Sequence, residues 1–407
     1  MKDTRFNSDN LNRELLETLL QNNKDFTTSK ILEQVINMLM KAERDVHLKE
    51  NIGDKGNGYY ERKLGTPVGV LGLAVPRDRD GDFRPQVLPS RFKRDSEDRF
   101  KTLQALFLSS YSPASINSIF NSLGLRYSKE ELEMLKNQYL DDYNAWAKRE
   151  LPNDVIGIFI DAYESEVKDE GKVKKLTTFV ILGFDFDGFK DLYAIELHIG
   201  NETKEFWLSV FNKLIDRGIR NPLFVVSDDF SGIIDAVKTL FPNALHQLCY
   251  VHLKRNIRKN MGKADAKQLN DKLTLLKSSS THEQAVEEFK RILSEYEEKY
   301  PHFIKYTKAR SEYYCNFIHL PVDVRKFFYT TNAVESFNSI LESKRTRAGG
   351  FFQSMDYLKV NIYIHYLKLK TQKWSNPTPL IKANLYSFNQ LFARRYNRSP
   401  YFQTQDT

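Results

Sequence analysis

Two groups of side chains in this chain have the types and spacing to do chemistry. In the first, a short apolar run, Leu223 to Val226, ends in Ser227, Asp228 and Asp229, and Gly232 then opens an amphipathic segment with Ile233, Ile234, Val237, Leu240 and Phe241 on one face. That pattern predicts a buried strand, a turn and a helix. Ligands of open α/β sheets gather in the crevice at the carboxyl ends of the strands, so Asp228 is a candidate site carboxylate. Asp161 ends another such run, Val155 to Ile160, and Ala162 and Tyr163 follow it instead of a helical pattern. A second mostly apolar run, Leu245 to Val251, leads into the cations Lys254, Arg255, Arg258 and Lys259. An acidic strand end followed closely by a cationic helix points to metal-dependent work on a phosphodiester backbone. The second group is Cys249 with His252 and, later, Cys315 with His319, which together offer the four donors of a tetrahedral zinc site. The later pair lies in a helical stretch, so the expectation is local roles and no zinc. Cys249 is then a small buried residue of the last strand, and His252 stands at the crevice within reach of a carboxylate or a phosphate.

The elements that must position these residues can be read around them. Strands are predicted over Val155 to Ile160, Leu176 to Phe184 and Leu192 to Leu197, and a helix over Thr203 to Arg217 with Phe206, Trp207, Val210, Phe211 and Leu214 as its core stripe. Three strands, a helix, a strand, a helix and a final strand give an α/β class, a mixed sheet covered by helices, in the order of an RNase H-like domain. From Gly262 to about Tyr306 the chain is highly charged and helical with no strand signal. Phe327 to Arg347 reads as one amphipathic helix with Val334, Phe337 and Leu341 inward and Glu335 outside that stripe. Asn332 and Glu335 also have the spacing of a capping box.

The amino-terminal third has a different texture. Residues 1–50 form a helical segment, with Leu15, Leu16, Leu19 and Leu20, then Ile31, Val35, Leu39 and Met40, at helical spacing. Residues 51–95 are β-like and punctuated by Gly and Pro, and Asp80-Gly81 suits a tight turn. The cations Arg77, Arg79, Arg84, Arg91, Lys93 and Arg94 gather there, offset by Asp78, Asp80 and Asp82, so a solvated loop and a DNA contact both fit. Residues 96–150 carry three helices: one marked by Leu103, Leu106 and Phe107, one starting at Ser112-Pro113, and one with a capping box from Ser128 to Glu131. A helix-turn-helix module and an ordinary bundle share this pattern.

Composition bounds the rest. The 407 residues, 41% of them hydrophobic, suffice for two or three domains, and 61 basic against 53 acidic residues leave a net charge of +8 that favours an acidic partner. Two cysteines exclude a disulfide framework, the start MKDTRFNSDN has no apolar signal core, and Val68 to Val75 is too short for a membrane span. A soluble, intracellular protein is expected.

The segments NGYYERKLGTPVGVLGLAVPRDRDGDFRPQVLP, FIDAY at Asp161, ILGFDFDG, FWLSVFNKLIDRGI, VVSDDFSGI at Asp228, CYVHLKRNI and YTTNAVESFN at Glu335 occur in one order and spacing. Together they make the chain resemble a mutator-type transposase of the insertion-sequence kind from about Asn57 to about Leu367. The resemblance implies an RNase H-like core over 151–261 completed by 327–370, an all-helical insertion over 262–326, and a tail over 371–407. It implies a catalytic triad of Asp161, Asp228 and Glu335 that holds two Mg²⁺ (or Mn²⁺) ions. It implies an amino-terminal region that recognises terminal inverted repeats, which favours the helix-turn-helix reading of 96–150. The partners would be the element's ends and target DNA, with Lys254, Arg255, Arg258, Lys259, Lys344, Arg345 and Arg347 as candidate contacts. A homodimer or higher assembly on DNA, in the cytoplasm of a prokaryotic cell, completes the expectation. Asp229 and Phe230 depart from the small or polar residues usual after the second aspartate, which makes Asp229 a substitute ligand to be tested.

The chemistry accounts for the residue types independently. Converging carboxylates repel one another, and hard divalent cations relieve the repulsion through oxygen ligands. Two such ions about 4 Å apart activate an attacking oxygen and stabilise a leaving one in displacement at phosphorus. Water as nucleophile cleaves a strand, and a DNA 3′-hydroxyl joins one. A nuclease without joining activity, and a DNA-binding protein derived from an inactive transposase, remain alternatives at this stage.

Overall fold

The computed structural model describes residues 27–51, 53–66, 68–88, 97–109, 113–122, 129–169, 171–347 and 350–400. The leucine repeat at 15–20, the cations Arg91, Lys93 and Arg94, and the capping serine at 128 lie outside the described residues. The chain divides into two compact units, Met1–Leu135 and Lys136–Thr407.

In the first unit, helix α1 (Thr28–Glu50) lies along a hairpin of β1 (Gly56–Thr66) and β2 (Gly69–Asp78). Met40, Leu64, Leu71, Leu73, Val75 and Leu88 make its core, with Leu32 and Ile36 packed against them. The helix also satisfies the open edge of β2: Glu33 accepts the Gly72 N–H at 2.7 Å and Asn37 the Ala74 N–H at 2.9 Å. Residues four apart on a helix and two apart on a strand advance by nearly the same distance, so consecutive rungs match. Helices α2 (Glu97–Leu108) and α3 (Pro113–Ser122) follow, and α4 (Lys129–Ala147) starts in this unit and continues into the residues of the second, all three at the positions expected from the sequence.

The second unit is built on a five-stranded mixed sheet. Its strands are β3 (Asp154–Asp169), β4 (Lys172–Asp185), β5 (Lys190–His198), β6 (Asn221–Ser227) and β7 (Leu245–Leu248), in the spatial order β5-β4-β3-β6-β7. β3, β4 and β5 pair antiparallel, while β6 and β7 run parallel to β3. One face is covered by α5 (Lys204–Asp216) and α6 (Ile233–Leu240), whose Trp207, Val210, Phe211, Leu214, Ile233 and Val237 pack on Val155, Ile158, Ile160, Phe179, Ile181 and Val225. On the other face Phe328 packs against Phe159 and Phe224, with ring centroids 5.4 and 4.9 Å away, and against Phe388 of the carboxyl-terminal helix α16. Burial on both faces explains why these strands are continuous apolar runs instead of alternating ones. Gly232, at φ 79°, opens α6, and a Cβ there would stand 2.3 Å from the Lys204 nitrogen, so only glycine lets the turn after β6 reach the start of α5.

From α7 (Tyr250–Asn260) the chain is helical. α8 (Lys263–Leu275), α9 (His282–Ser294), α10 (Pro301–Lys308), α11 (Ser311–Cys315) and α12 (Arg325–Phe328) precede the long α13 (Asn332–Arg347). Buried Arg325 ties this group together by donating to the carbonyls of Lys277, Ser279, Ile318 and Leu320 at 2.8 to 3.1 Å. α14 (Met355–Thr371), α15 (Pro379–Ala383) and α16 (Leu385–Tyr396) close the unit. No described helix is long and apolar enough to cross a membrane.

Three expectations are corrected. Asp161 does not end its strand, since β3 runs on to Asp169; what ends near it is the parallel pairing with β6, whose last rung is Phe159 with Val226. The final strand stops at Leu248 and Tyr250 already begins α7, so the run to Val251 joins a strand to the apolar face of a helix. The helix predicted over 327–347 is two helices, broken at Tyr329 to Thr331.

Candidate active site

Where the parallel pairing of β3, β6 and β7 stops, the carboxyl ends of β6 and β7 lie beside the middle of β3, and polar residues gather at that edge. β3 brings Asp161, which is 5% exposed; β6 brings Asp228; and β7 leads through Cys249 into α7, whose first turn carries His252. The His252 Nε2 atom lies 4.0 Å from Asp161 Oδ1 and 3.8 Å from Asp228 Oδ2, so one ring spans both carboxylates. Arg255, one turn further along α7, donates to the same Nε2 at 3.0 Å. Burial pushes the Asp228 carboxyl above its ordinary value, against the opposing pull of His252 and of the Asp229 N–H that it accepts at 2.7 Å.

The end of β6 is fixed from below. The Ser227 hydroxyl is fully buried between the Asp228 carbonyl, 2.8 Å away, and His246 Nε2, 2.9 Å away. Burial, assisted by the charge of Lys238, pulls the His246 pKa down to about 3, so this ring stays neutral and serves as a hydrogen-bonding post.

α13 runs beside the far half of β3. The Asn338 side-chain amide donates to Asp161 Oδ2 at 2.9 Å, and the Tyr163 hydroxyl donates to Glu342 Oε2 at 2.7 Å. Beyond the helix, Phe352 exchanges backbone hydrogen bonds with Glu166 and Lys168. β3 outlasts its pairing with β6 because it stays paired with β4 as far as Asp169, and the edge that β6 leaves is the rail on which α13 is laid. At the helix start, buried Cys249 accepts the Thr331 N–H at 3.4 Å and faces the Thr331 hydroxyl at 3.5 Å, while the Tyr250 N–H donates to the Tyr329 carbonyl at 2.8 Å. The backbone of Glu335 is in α13, one turn before Asn338; its side chain lies outside the described residues, as does that of Asn332 and with it the capping box.

The remaining sequence candidates separate. Asp229, the substitute ligand considered above, is held from α10 and its end: the Tyr306 hydroxyl donates to Oδ2 at 2.7 Å and the Arg310 guanidinium pairs with the same atom. On α7, Arg255, Arg258 and Lys259 are exposed and Lys254 is half-buried. Lys344 is buried, Arg345 is engaged by Glu342 and by the Gly350 carbonyl, and the Arg347 side chain lies outside the described residues. Cys249 and His252 have the neighbours given above, Cys315 is a buried thiol pushed up to about 12 by that burial, and His319 stacks on His282 at 4.6 Å. Sequence reasoning missed Asn338, Thr331, Ser227 and His246. Asn338 did have a signal, since it closes the stretch YTTNAVESFN one helical turn after Glu335.

Comparison with known proteins bears on this arrangement. The family model described as "Transposase, Mutator family" matches residues 2–367. The chain is 26% identical over 327 residues to the transposase for insertion sequence element ISRM5 of Rhizobium meliloti, covering 80% of this chain and 79% of that one. It is 25% identical over 401 residues to a probable transposase for an ISRM3-like element of Sinorhizobium fredii, covering 95% and 99%. It is also 30% identical over 257 residues, covering 61% and 65%, to the transposase for IS256 in transposon Tn4001 of Staphylococcus aureus.

Proposed function

The chain belongs to the mutator family of transposases, and on that premise we propose that it binds the terminal inverted repeats of an insertion sequence and catalyses metal-dependent DNA strand cleavage and strand transfer with Asp161, Asp228 and Glu335. The observation that carries this reading is the convergence of Asp161 and Asp228, from adjacent parallel strands, on one ring of His252. The sheet order, with three antiparallel strands followed by two parallel ones on the far side of β3, supports an RNase H-like core in which the helices between β7 and α13 are an insertion. Position 335 lies one turn before the residue that touches Asp161, which supports Glu335 as the third carboxylate.

The donor set fits hard divalent ions. Two carboxylates, one buried and the other with its pKa raised by burial, share an edge whose charge a cation would relieve. Asp161, Asp228 and Glu335 would hold Mg²⁺ or Mn²⁺, which when bound activates the attacking oxygen and stabilises the leaving one. The protein's own part is positional. Asn338 fixes the rotamer of Asp161, Ser227 and His246 fix the strand end that carries Asp228, and His252 with Arg255 places positive or hydrogen-bonding groups where a phosphate would enter. The exposed cations of α7 continue that path along the DNA backbone, and the amino-terminal region, with the helices of 96–150, supplies end recognition.

Cleavage and strand transfer on duplexes carrying the element's ends test the reading. Asp161→Asn, Asp228→Asn and Glu335→Gln should each lower both steps by about a thousandfold or more while end binding persists. Cleavage without joining by the unmodified chain would assign a nuclease instead. Full activity of any one variant would remove that residue from the triad.

A further inference from the structure

We propose that the first unit carries a transition-metal site formed by His47, Asp54 and Asp78, which takes a zinc ion and is separate from the triad of the second unit. His47 lies in the last turn of α1, Asp54 just before β1, and Asp78 at the end of β2, so the site clips the helix to the open end of the hairpin, where β1 begins and β2 ends. The His47 Nε2 atom stands 3.9 Å from Asp54 Oδ2 and 3.8 Å from Asp78 Oδ2, and all three ligand atoms lie within 4.8 Å of one another.

These separations are too long for hydrogen bonds, so the ring does not satisfy the carboxylates directly. Both acids are nonetheless withdrawn from water, with side chains 4% and 2% exposed. Asp54 Oδ1 accepts the N–H groups of Lys55 and Arg79 at 2.7 and 3.2 Å, whereas its Oδ2 is buried and has no hydrogen-bond partner among the described residues. Asp78 Oδ2 accepts the Asp82 and Phe83 N–H groups, both at 3.0 Å. Two buried carboxylates and an imidazole facing one point define a cation site.

One nitrogen and two oxygens suit zinc better than magnesium, which prefers oxygen alone. Tetrahedral ligation at about 2.0 to 2.1 Å sets ligand atoms about 3.4 Å apart, so closure shortens the two His47 separations by about half an ångström and the carboxylate–carboxylate separation by at most about 1.4 Å. Asn51, whose amide donates to the His47 carbonyl at 2.9 Å and stands 3.2 Å from Nδ1, holds the ring with Nε2 toward the two carboxylates. The cluster between α1 and the hairpin has six buried apolar side chains among the described residues, a small core to which a metal clip adds a cross-link.

The test uses the full chain carrying Asp161→Asn and Asp228→Asn, so that the second unit does not compete for the ion. After chelator treatment, zinc is added, unbound metal is removed, and retained metal and melting temperature are measured. One zinc per chain and a raised melting temperature, with no rise in equimolar magnesium, are expected. His47→Ala and Asp54→Asn should each weaken zinc binding by more than about tenfold. Should either fail to fold, cobalt in the parent chain decides: visible absorption of a four-coordinate N/O site supports the proposal, and its absence overturns it. No retained zinc, or zinc retained equally by the folded His47→Ala chain, also overturns it.

Discussion

The Asn338 side-chain amide donates to Asp161 Oδ2 at 2.9 Å, joining the long helix after the break to the middle of the first core strand. Asn338 is therefore a positioning residue. Asn338→Ala should slow single-turnover cleavage about 10- to 100-fold, with end binding and melting temperature nearly unchanged. Asn338→Asp should be worse, because it sets a second anion against Asp161. A loss of activity that simply follows a loss of stability would reduce Asn338 to a packing residue.

Asp229 offers the opposite case. Its Oδ2 is already committed to Tyr306 and Arg310, so Asp229→Asn should keep cleavage within about tenfold of the parent while loosening the contact between the strand end and α10. Comparison with Asp228→Asn in one cleavage assay decides. If Asp229→Asn is the more damaging change, the second ligand is displaced by one residue.

Cys249 should matter to stability. Its sulfur accepts the Thr331 N–H in a buried setting, and Cys249→Ala leaves that donor unpaired at a cost of about 1 to 3 kcal/mol. Cys249→Ser supplies a replacement acceptor and should recover most of the loss in denaturant midpoint. Equal midpoints for the two variants would show that the sulfur contact contributes nothing.

Asp185, at the end of β4, gives a pH signature. Burial pushes its carboxyl up to about 6, and its Oδ1 accepts the N–H groups of Asp187 and Phe189. The folded chain binds this proton more tightly than the unfolded one. The stability it contributes is full below the unfolded value of 3.8 and is lost as pH rises through about 6. Asp185→Asn keeps the acceptor and removes the charge, so it should stabilise the protein by on the order of 1 to 3 kcal/mol at pH 8 and by less at pH 5. Denaturant midpoints at the two pH values check this, and a gap that does not change with pH refutes it.

Periodicity located the strands and helices of the second unit because each buries a face of its own, and it placed Val334, Phe337 and Leu341 in the core, where all three are fully buried. It could not show that β3 continues past Asp161. That half of the strand, from Ala162 to Lys168, pairs with β4 on one side, while on the other its partners are Glu342 and Phe352, about two hundred residues away in sequence, and these leave no local pattern. The end of β7 was blurred for a related reason: Leu248, Cys249 and Tyr250 are all buried, so a strand passes into a helix without a polar break. Asp161 and Asp228 were legible as carboxylates beyond apolar runs. Ser227 and His246 were not, since their hydrogen bond joins two strands and appears in neither segment alone.

The dependence of Asp161 on α13 also has a consequence for the order of synthesis. Asp161 leaves the ribosome about 170 residues before Asn332 and Asp228 about 100, and the shorter interval is about 5 to 20 s at ordinary elongation rates. Until then the strand half that will hold α13 has no rail-mate. A nascent or truncated product ending before Asn332 would keep the first unit and the strand ends but could not cut. If the amino-terminal region recognises the ends as proposed, such fragments would occupy them as competitors, and premature termination in this gene should lower transposition below what the loss of intact enzyme alone predicts.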